Sequence, residues 1–386
     1  MSVEIVSLGC RMNLAESERM RALLAGEQDM VVINSCAVTA EAVRQTRQAI
    51  RRARRRSPDA RLMVTGCAVE VEREAMVALG VDGLIPNADK LDARAWNVPA
   101  TTAILPSDQH TRAFVGVQNG CDHACTFCII PAGRGPSRSR SIADVVAEIR
   151  AHVDQGIAEV VLTAVDLTGW GVDGLRLGDL VAAILRDCDV PRLRLSSLDG
   201  VEIDPLLRDI IASERRVMPH LHLSLQHGAD LILKRMKRRH LRADALELVA
   251  DLTARRPDIA IGADLIAGFP TEGDAEHADN LSIITALNIV HGHIFPFSPR
   301  HDTPAARMPQ VTRPVITQRA ADLRAAVADQ RARWLNAQIG RTHKVLAERD
   351  GTGHAENFAR IALPPGATAG QIIAITPTRM TEGLLS

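Results

Sequence analysis

Short apolar runs alternate along this chain with stretches in which apolar residues recur every three or four positions, a strand-then-helix rhythm. Near the start the runs cover residues 3–8, 30–34, 61–65 and 81–85, with helical patterns between them, which predicts a parallel α/β unit over 1–98. A polar stretch with Pro99 and Pro106 then reads as a linker. From Arg112 a second series begins: RAFVGVQ, EVVLTAV, RLRLSS, HLHLSLQ, IAIGADLI and IVHGHIFPF. Six strand-and-helix repeats predict a parallel, partial (β/α)6 barrel over 110–338, and such barrels put their chemistry in the loops at the carboxyl ends of the strands. A long amphipathic pattern over 315–339 closes this unit, with Gly340 as its cap. The remainder, 340–386, alternates apolar and polar positions between Gly and Pro turns and predicts a small β-barrel. The expected fold class is α/β with a small β unit at the end.

Three cysteines stand where apolar runs of the first unit finish: Cys10, Cys36 and Cys67 close VEIVSLGC, MVVINSC and RLMVTGC. In an open parallel sheet, ligands gather at the carboxyl ends of strands, so these three can converge although they are far apart in sequence. Taken singly, each reads as a small buried apolar residue. Three in register point to a cluster site. The barrel-like unit carries a second trio, Cys121, Cys125 and Cys128, at C-x3-C-x2-C spacing in CDHACTFC, on the loop after its first strand. Thiolate clusters normally take four cysteines, so three leave one iron of a 4Fe-4S cluster open to another molecule. A zinc knuckle is the alternative, but zinc sites close with four ligands, and the nearest fourth, His123, lies within the same tight loop. Cys188, in LVAAILRDCDV, has no partner in the pattern and reads as core.

A chain of 386 residues suggests two or three domains, and 46% hydrophobic residues suffice for an ordinary core. An odd cysteine count of seven, with no basic-then-apolar leader, argues against a secreted disulfide scaffold and for the reducing cytoplasm. No apolar run approaches the roughly 20 residues that span a bilayer, so no membrane partner is expected. The formal net charge is zero, so any nucleic-acid footprint is local. Two basic runs exist. Arg51 to Arg56 lies in a helical stretch, where a solvated face explains the charge equally well; KRMKRRH, with Lys234, Arg235, Lys237, Arg238 and Arg239, lies just beyond a strand end of the barrel. Tyrosine is absent and the six phenylalanines are scarce, yet Phe127, Phe269, Phe295, Phe297 and Phe358, with Trp170, fall in or beside these motifs, where flat rings can stack on a base or pack as core. His291 and His293 share one strand face by alternation, which fits a metal pair or ordinary packing.

With these parts in place, the chain resembles the radical S-adenosylmethionine methylthiotransferases along essentially its whole length. QNGCDHACTFCIIP carries the superfamily's cluster loop. The words LGCRMNLAES, INSCAVTAEAVRQTRQAI, VTGC, GRGPSRS, LRLSSLD, LHLSLQ, KRMKRRH, GADLIAGFPTE and FPFSPRHDTPAARM look most like the branch acting on N6-threonylcarbamoyladenosine next to the tRNA anticodon. The resemblance implies a methylthiotransferase domain at 1–98, a radical core at 110–338 and a TRAM-like domain at 340–386. It implies two 4Fe-4S clusters. Cys121, Cys125 and Cys128 would hold the radical-generating one, and Cys10, Cys36 and Cys67 an auxiliary one carrying the sulfur to be inserted. One S-adenosylmethionine would methylate that sulfur, and another would yield the radical that removes hydrogen from carbon 2 of the adenine at position 37. That C–H bond offers no acidic proton to a general base, so a cofactor must do the hard step.

The same resemblance implies that Phe127 packs on the cofactor adenine, that Asp166 in TAVDLTGWG meets the cofactor's polar end, and that Ser197, Gln226 and Asp264 line the cavity. Each polar group could instead satisfy a turn or a cap. Arg134 and Arg138 in GRGPSRSR would steer phosphates or fix the loop; the KRMKRRH cations, Lys344 and Phe358 would touch RNA. The implied partners are tRNA, an external electron donor and a sulfur source, with the oligomeric state left open. Ala132, Ala164 and His227 depart from the family's pattern, where Tyr, Gly and a small residue are common. The alternatives are a methylthiotransferase for isopentenyladenosine in tRNA or for a ribosomal protein and, in a different class, a noncatalytic iron–sulfur protein that binds RNA or relays electrons.

Overall fold

The computed structural model describes residues 3–101 and 110–386, so Pro106 of the expected linker lies outside the described residues. Strand β1 (Glu4–Ser7), helix α1 (Arg11–Leu23), β2 (Met30–Ser35), α2 (Ala40–Arg56), β3 (Arg61–Gly66), α3 (Cys67–Val71), α4 (Arg73–Val77), β4 (Gly83–Leu84) and α5 (Ala93–Trp96) make the first unit. Its strands pair in parallel, in chain order. β2 is buried at every position because apolar groups cover both its faces. Val31 and Ile33 meet Val43 and Ile50 of α2, while Val32 shares a cluster with Met20 of α1.

The second unit runs β5 (Ala113–Asn119), α6 (Ile130–Arg134), β6 (Arg138–Ser139), α7 (Ile142–Asp154), β7 (Glu159–Ala164), β8 (Gly171–Val172), β9 (Leu175–Arg176), α8 (Leu177–Asp187), β10 (Arg192–Leu195), α9 (Pro205–Ser213), β11 (His220–Gln226), α10 (Asp230–Arg235), α11 (Arg242–Arg255), β12 (Ala260–Ala267), α12 (Asp274–Ala286), β13 (Ile289–Pro296) and α13 (Arg313–Asn336). The six apolar runs of the sequence are its six long parallel strands. They pair as β10-β7-β5 and β11-β12-β13, and bridges at Leu193–Val217 and Leu198–Leu223 link the halves into one curved partial barrel. Val115, Val160, Leu162, Leu193, Leu221, Leu223, Ile261 and Leu265 face the surrounding helices in one continuous core. Burying each such side chain stabilises the fold by roughly 1.5–3 kcal/mol. By the two-residue alternation, Glu159, Arg192, Arg194, His220, His222, Asp264, His291 and His293 fall on the opposite, inner face. α1 lies against β5 and β7, so the first unit leans on the edge of the barrel.

α13 ends at Asn336 and not at Gly340. A turn follows, in which Gly340 adopts φ +77° and donates its N–H to the Pro377 carbonyl at 2.8 Å, so this glycine serves the junction to the last unit. That unit is a six-stranded, mainly antiparallel sheet of β14 (His343–Ala347), β15 (Thr352–His354), β16 (Arg360–Ala362), β17 (Ile372–Ile375), β18 (Met380–Thr381) and β19 (Leu384–Leu385), in the order β17-β14-β15-β16-β19-β18. It docks at the amino ends of the barrel strands. Arg194 donates to the carbonyls of Glu356 (3.1 Å) and Ala355 (3.4 Å), Arg192 to those of Lys344 and His354, and Arg112 pairs with Glu348 at 2.6 Å. Fully buried Glu159 takes all three guanidiniums, at 2.9 Å from Arg112, 3.0 Å from Arg194 and 3.6 Å from Arg192. Among the described residues, no helix is long and apolar enough to cross a membrane.

Candidate active site

β5 ends in Asn119, and Gly120 then turns the chain into the cysteine loop at φ +80°. A Cβ there would stand 1.9 Å from the Pro136 carbonyl oxygen, so only glycine lets the loop fold back on the segment after α6. The Cys121 N–H donates to the Gly135 carbonyl at 3.1 Å. On its other side Thr126 ties the loop to the end of α10, by N–H to the Met236 carbonyl (3.1 Å) and by hydroxyl to the Arg235 carbonyl (2.8 Å).

Each sulfur of the loop receives a donor: the N–H of His123 at Cys121 (3.4 Å), the N–H of Ile130 at Cys128 (3.4 Å) and Nη1 of Arg238 at Cys125 (3.6 Å). Burial pushes the Cys121 thiol up to about 11 and the Cys128 thiol up to about 12. At Cys125 burial acts the same way, but hydrogen bonds and charge from His123 and Arg238 outweigh it and hold the thiol below its ordinary value. Thiols this resistant to ionisation become thiolates when a metal replaces the proton, and the surrounding N–H donors suit thiolate sulfur. The residues fit a three-cysteine cluster.

The other trio has the same local construction. Gly9 (φ +90°) precedes Cys10 and Gly66 (φ +93°) precedes Cys67; Cβ atoms there would lie 2.5 Å from Cys36 Cβ and 2.4 Å from the Ser35 carbonyl oxygen. Three strand ends are thereby pinched together. Burial first, and then the charges of Cys10 and Cys67, push the Cys36 thiol up to about 11, so the three sulfurs share one neighbourhood. Cys67 of this trio abuts the helix that follows the cysteine loop. A Cβ on Gly133 of α6, just past the first loop, would stand 3.2 Å from Cys67 Cβ. Asn87 joins Gly133 to Cys67, its Nδ2 donating to the Gly133 carbonyl at 2.6 Å and lying 3.8 Å from Cys67 Sγ.

Of the two roles read for Arg134, phosphate steering is corrected and the hydrogen-bonding one stands. Its side chain is 1% exposed and cannot offer itself to a phosphate backbone. It grips Glu16 of α1 with both terminal nitrogens (2.9 and 3.1 Å), Asn119 at 2.8 Å, and Asn13. Lys90, equally buried, reaches the second oxygen of Glu16 at 2.5 Å and Asn34 at 3.3 Å. Asn13 in turn donates to the carbonyls of Leu8 (2.7 Å) and Ser35 (2.9 Å), beside the glycine–cysteine turns. This polar knot locks the two units face to face. Sequence inspection missed it, although Asn13 and Glu16 stand three apart on one helix face in RMNLAES.

The KRMKRRH segment divides. Lys234, Lys237 and Arg239 are exposed. Arg235 spends Nη1 on Thr271 (2.7 Å to Oγ1), and buried Arg238 donates to Asp199 (2.7 Å), to the Ser224 carbonyl (2.8 Å) and to Cys125, so neither is free for RNA. Arg138 and Lys344 are exposed. Phe358, expected at an RNA surface, packs instead between the last unit and the barrel, stacked on His354 (4.4 Å) and near His220 (5.0 Å) and the Arg194 guanidinium (4.8 Å).

Phe127 is half-buried, edge-on to Phe269 at 6.3 Å, in a cluster with Met236 and Phe297. Asp166 sits against the loop: its carboxylate is 3.2 Å from His123 Nε2 and 3.2 Å from the Thr168 hydroxyl, and its N–H donates to Gln118 at 3.0 Å. Ser197 and Gln226 are partly exposed, Gln226 at φ +69° where β11 finishes. Asp264 lies deeper on the inner face. One of its oxygens meets both His222 Nε2 (3.0 Å) and His293 Nδ1 (3.1 Å), and these bonds overcome burial to hold its carboxyl below the ordinary range, ionised. His293 therefore pairs with Asp264 and His222, while His291 packs against His220, Trp334 and Phe358. The departure at His227 is accommodated: the ring is fully buried, accepts the Ala229 N–H at 3.0 Å and faces Glu272 at 3.4 Å. Cys188 is buried beside the Val146 carbonyl, as core.

Residues 115–282 match the Radical SAM superfamily, and residues 2–85 match Uncharacterized protein family UPF0004. The chain is 40% identical over 404 aligned positions, covering 99% of it and 96% of the relative, to "Threonylcarbamoyladenosine tRNA methylthiotransferase MtaB" of Rickettsia prowazekii (strain Madrid E). It is 32% identical over 391 positions, covering 90% and 87%, to "tRNA-2-methylthio-N(6)-dimethylallyladenosine synthase" of Cereibacter sphaeroides (strain ATCC 17029 / ATH 2.4.9). Among solved structures it is similar in fold to the radical S-adenosylmethionine methyltransferase TsrM from Kitasatospora setae, with a TM-score of 0.55 and 18% identity over 77% of this chain and 67% of that one.

Proposed function

Since the chain belongs to the radical S-adenosylmethionine methylthiotransferases that modify tRNA, we propose that it installs a methylthio group on carbon 2 of N6-threonylcarbamoyladenosine beside the tRNA anticodon. The observation that carries this reading is the presence of two cysteine trios at strand ends of two packed units, with Gly133 of the helix after one trio seated on Cys67 of the other. Cys121, Cys125 and Cys128 would hold the 4Fe-4S cluster whose open iron takes S-adenosylmethionine, and Cys10, Cys36 and Cys67 a second cluster as sulfur carrier. Bound there, cluster and cofactor would supply radical chemistry at carbon 2. The chain's own residues do the rest. Arg134 and Glu16 keep the trios in register; Asp166 with Thr168 offers acceptors to the cofactor's amino end; Phe127 offers a ring edge from an apolar seat to its adenine. Ser197 and Gln226 stand at the rim, and Arg138, Lys234, Lys237, Arg239 and Lys344 are the exposed cations that would meet phosphate without reading bases. An external electron donor and a sulfur source complete the cycle.

Two branches of modified adenosine stand among the relatives, and the inner face of the barrel favours the threonylcarbamoyl one. A dimethylallyl group has nothing to hydrogen-bond, whereas His222, Asp264 and His293 form a polar cluster there. Beside such a cluster a polar arm can gain hydrogen bonds that an apolar arm cannot. The test is mass spectrometry of tRNA nucleosides from a strain lacking the gene and any second such enzyme. Loss of 2-methylthio-N6-threonylcarbamoyladenosine is expected; its persistence with loss of the isopentenyl derivative overturns the substrate reading.

A further inference from the structure

Arg11, the residue after Cys10 and the first of α1, is half-buried. Among the described residues it makes no hydrogen bond and no ion pair. Its neighbourhood is already cationic: its guanidinium lies 5.9 Å from the Phe358 ring, on which those of Arg194 and Arg112 also sit, at 4.8 and 6.0 Å. The Glu159 and Asp264 carboxylates are near enough to favour its charge, but the first is taken by three arginines and the second by two histidines. The N-cap Cys10 gives no side-chain cap, and the first turn of α1 holds no acidic residue, so the unpaired N–H groups add positive potential at the same place. Nearby, His220 is 6% exposed, and neither of its ring nitrogens has a hydrogen-bond partner among the described residues; Nε2 of the partly buried His291 is likewise unpartnered.

We propose that Arg11 receives the carboxylate of the threonyl group on the substrate adenosine, on the inner side of the barrel next to Cys10. This rests on the threonylcarbamoyl reading above and names the group that recognises it. A partly desolvated guanidinium without a counter-charge is costly until an anion arrives, and its planar fork matches a carboxylate in two-point contact. On adenine, carbon 2 and the N6-bearing carbon both adjoin N1, so a substituent on N6 lies on the same edge as the carbon to be thiolated. The neighbours Cys10 and Arg11 would serve that edge together, one for the sulfur and one for the side arm. An isopentenyl arm has no group for Arg11.

The experiment uses the reconstituted enzyme and one tRNA in two forms, bearing threonylcarbamoyladenosine with its carboxylate free or masked as the methylamide. The wild-type enzyme should prefer the free acid by about 10- to 100-fold in kcat/KM. Arg11→Gln should lose most of that preference through a fall on the free acid, with iron content and circular dichroism as for wild type; Arg11→Lys should keep part of it. Equal use of both substrates by the wild type overturns the assignment, as does an Arg11→Gln enzyme that keeps the full preference. If Arg11→Gln does not fold, Arg11→Lys and the wild-type comparison decide. A wild-type enzyme that modifies neither form but modifies isopentenyladenosine overturns the substrate reading beneath, and is distinguishable from failure at Arg11 alone.

Discussion

Glu16 is one carboxylate between two buried cations, Lys90 at 2.5 Å and Arg134 at 2.9 Å. Burial opposes its ionisation, but the two positive charges and their hydrogen bonds outweigh it, and its carboxyl is held below the ordinary range. Lys90 feels burial more than its partner, and its ammonium is pushed down. Such a group is worth little against a well-packed apolar substitute but costs much when broken, since a lone charge then stays in the interior. Glu16→Ala should therefore lower stability by about 3–5 kcal/mol, read as a shift of the guanidinium midpoint. A shift below about 1 kcal/mol, the range of exposed pairs, would show that water reaches the knot.

Glycine–cysteine turns recur as an element. Gly9, Gly66 and Gly120 each adopt positive φ, and each is followed by a proposed ligand, because the chain must reverse sharply at a strand end while backbone or sulfur presses on the missing Cβ. At Gly120 the clash of 1.9 Å is with backbone, which cannot swing aside as a side chain can. Gly120→Ala should displace Cys121 from Cys125 and Cys128. In a background with Cys10, Cys36 and Cys67 replaced by alanine, iron retained after anaerobic reconstitution should fall severalfold, together with S-adenosylmethionine cleavage. Full iron retention there would mean that the loop tolerates the shift.

Across the whole molecule, the last β unit is held to the barrel by charge on one side and by rings on the other. Burial keeps His291 neutral down to about 3 and depresses His220 strongly, while three arginines hold Glu159 ionised down to about 2. The signs separate these groups. Both histidines have folded values below the ordinary 6.5, so the unfolded chain takes up protons first and stability falls as pH drops below 6.5. Each should cost about 1.4 kcal/mol per pH unit. Glu159 contributes stability that is intact above its ordinary 4.5 and lost only as pH falls toward 2. Thermal unfolding from pH 7.5 to 5 thus reports the histidines alone of these three, and His291→Leu should flatten the dependence. An unaltered slope in that variant would place the acid sensitivity elsewhere.

The alternation of strands and helices, the six-repeat barrel and the placing of both cysteine trios at strand ends were legible from the linear sequence, because each rests on a local rule: apolar runs make strands. KRMKRRH was legible only as charge. Which of its cations stay in solvent depends on Asp199, Ser224 and Thr271, which come from three other parts of the chain. For the same reason Arg134 read as a cation that steers phosphates or fixes the loop, while Glu16, 118 residues upstream, draws it inside. Tertiary structure alone decided that Cys67 abuts the helix after the other cysteine loop, that Phe358 seals a domain junction, and that Arg11 is left without a counter-charge. Each of these is a sum of long-range contacts whose sign depends on what arrives from elsewhere in the fold, and no local pattern encodes it.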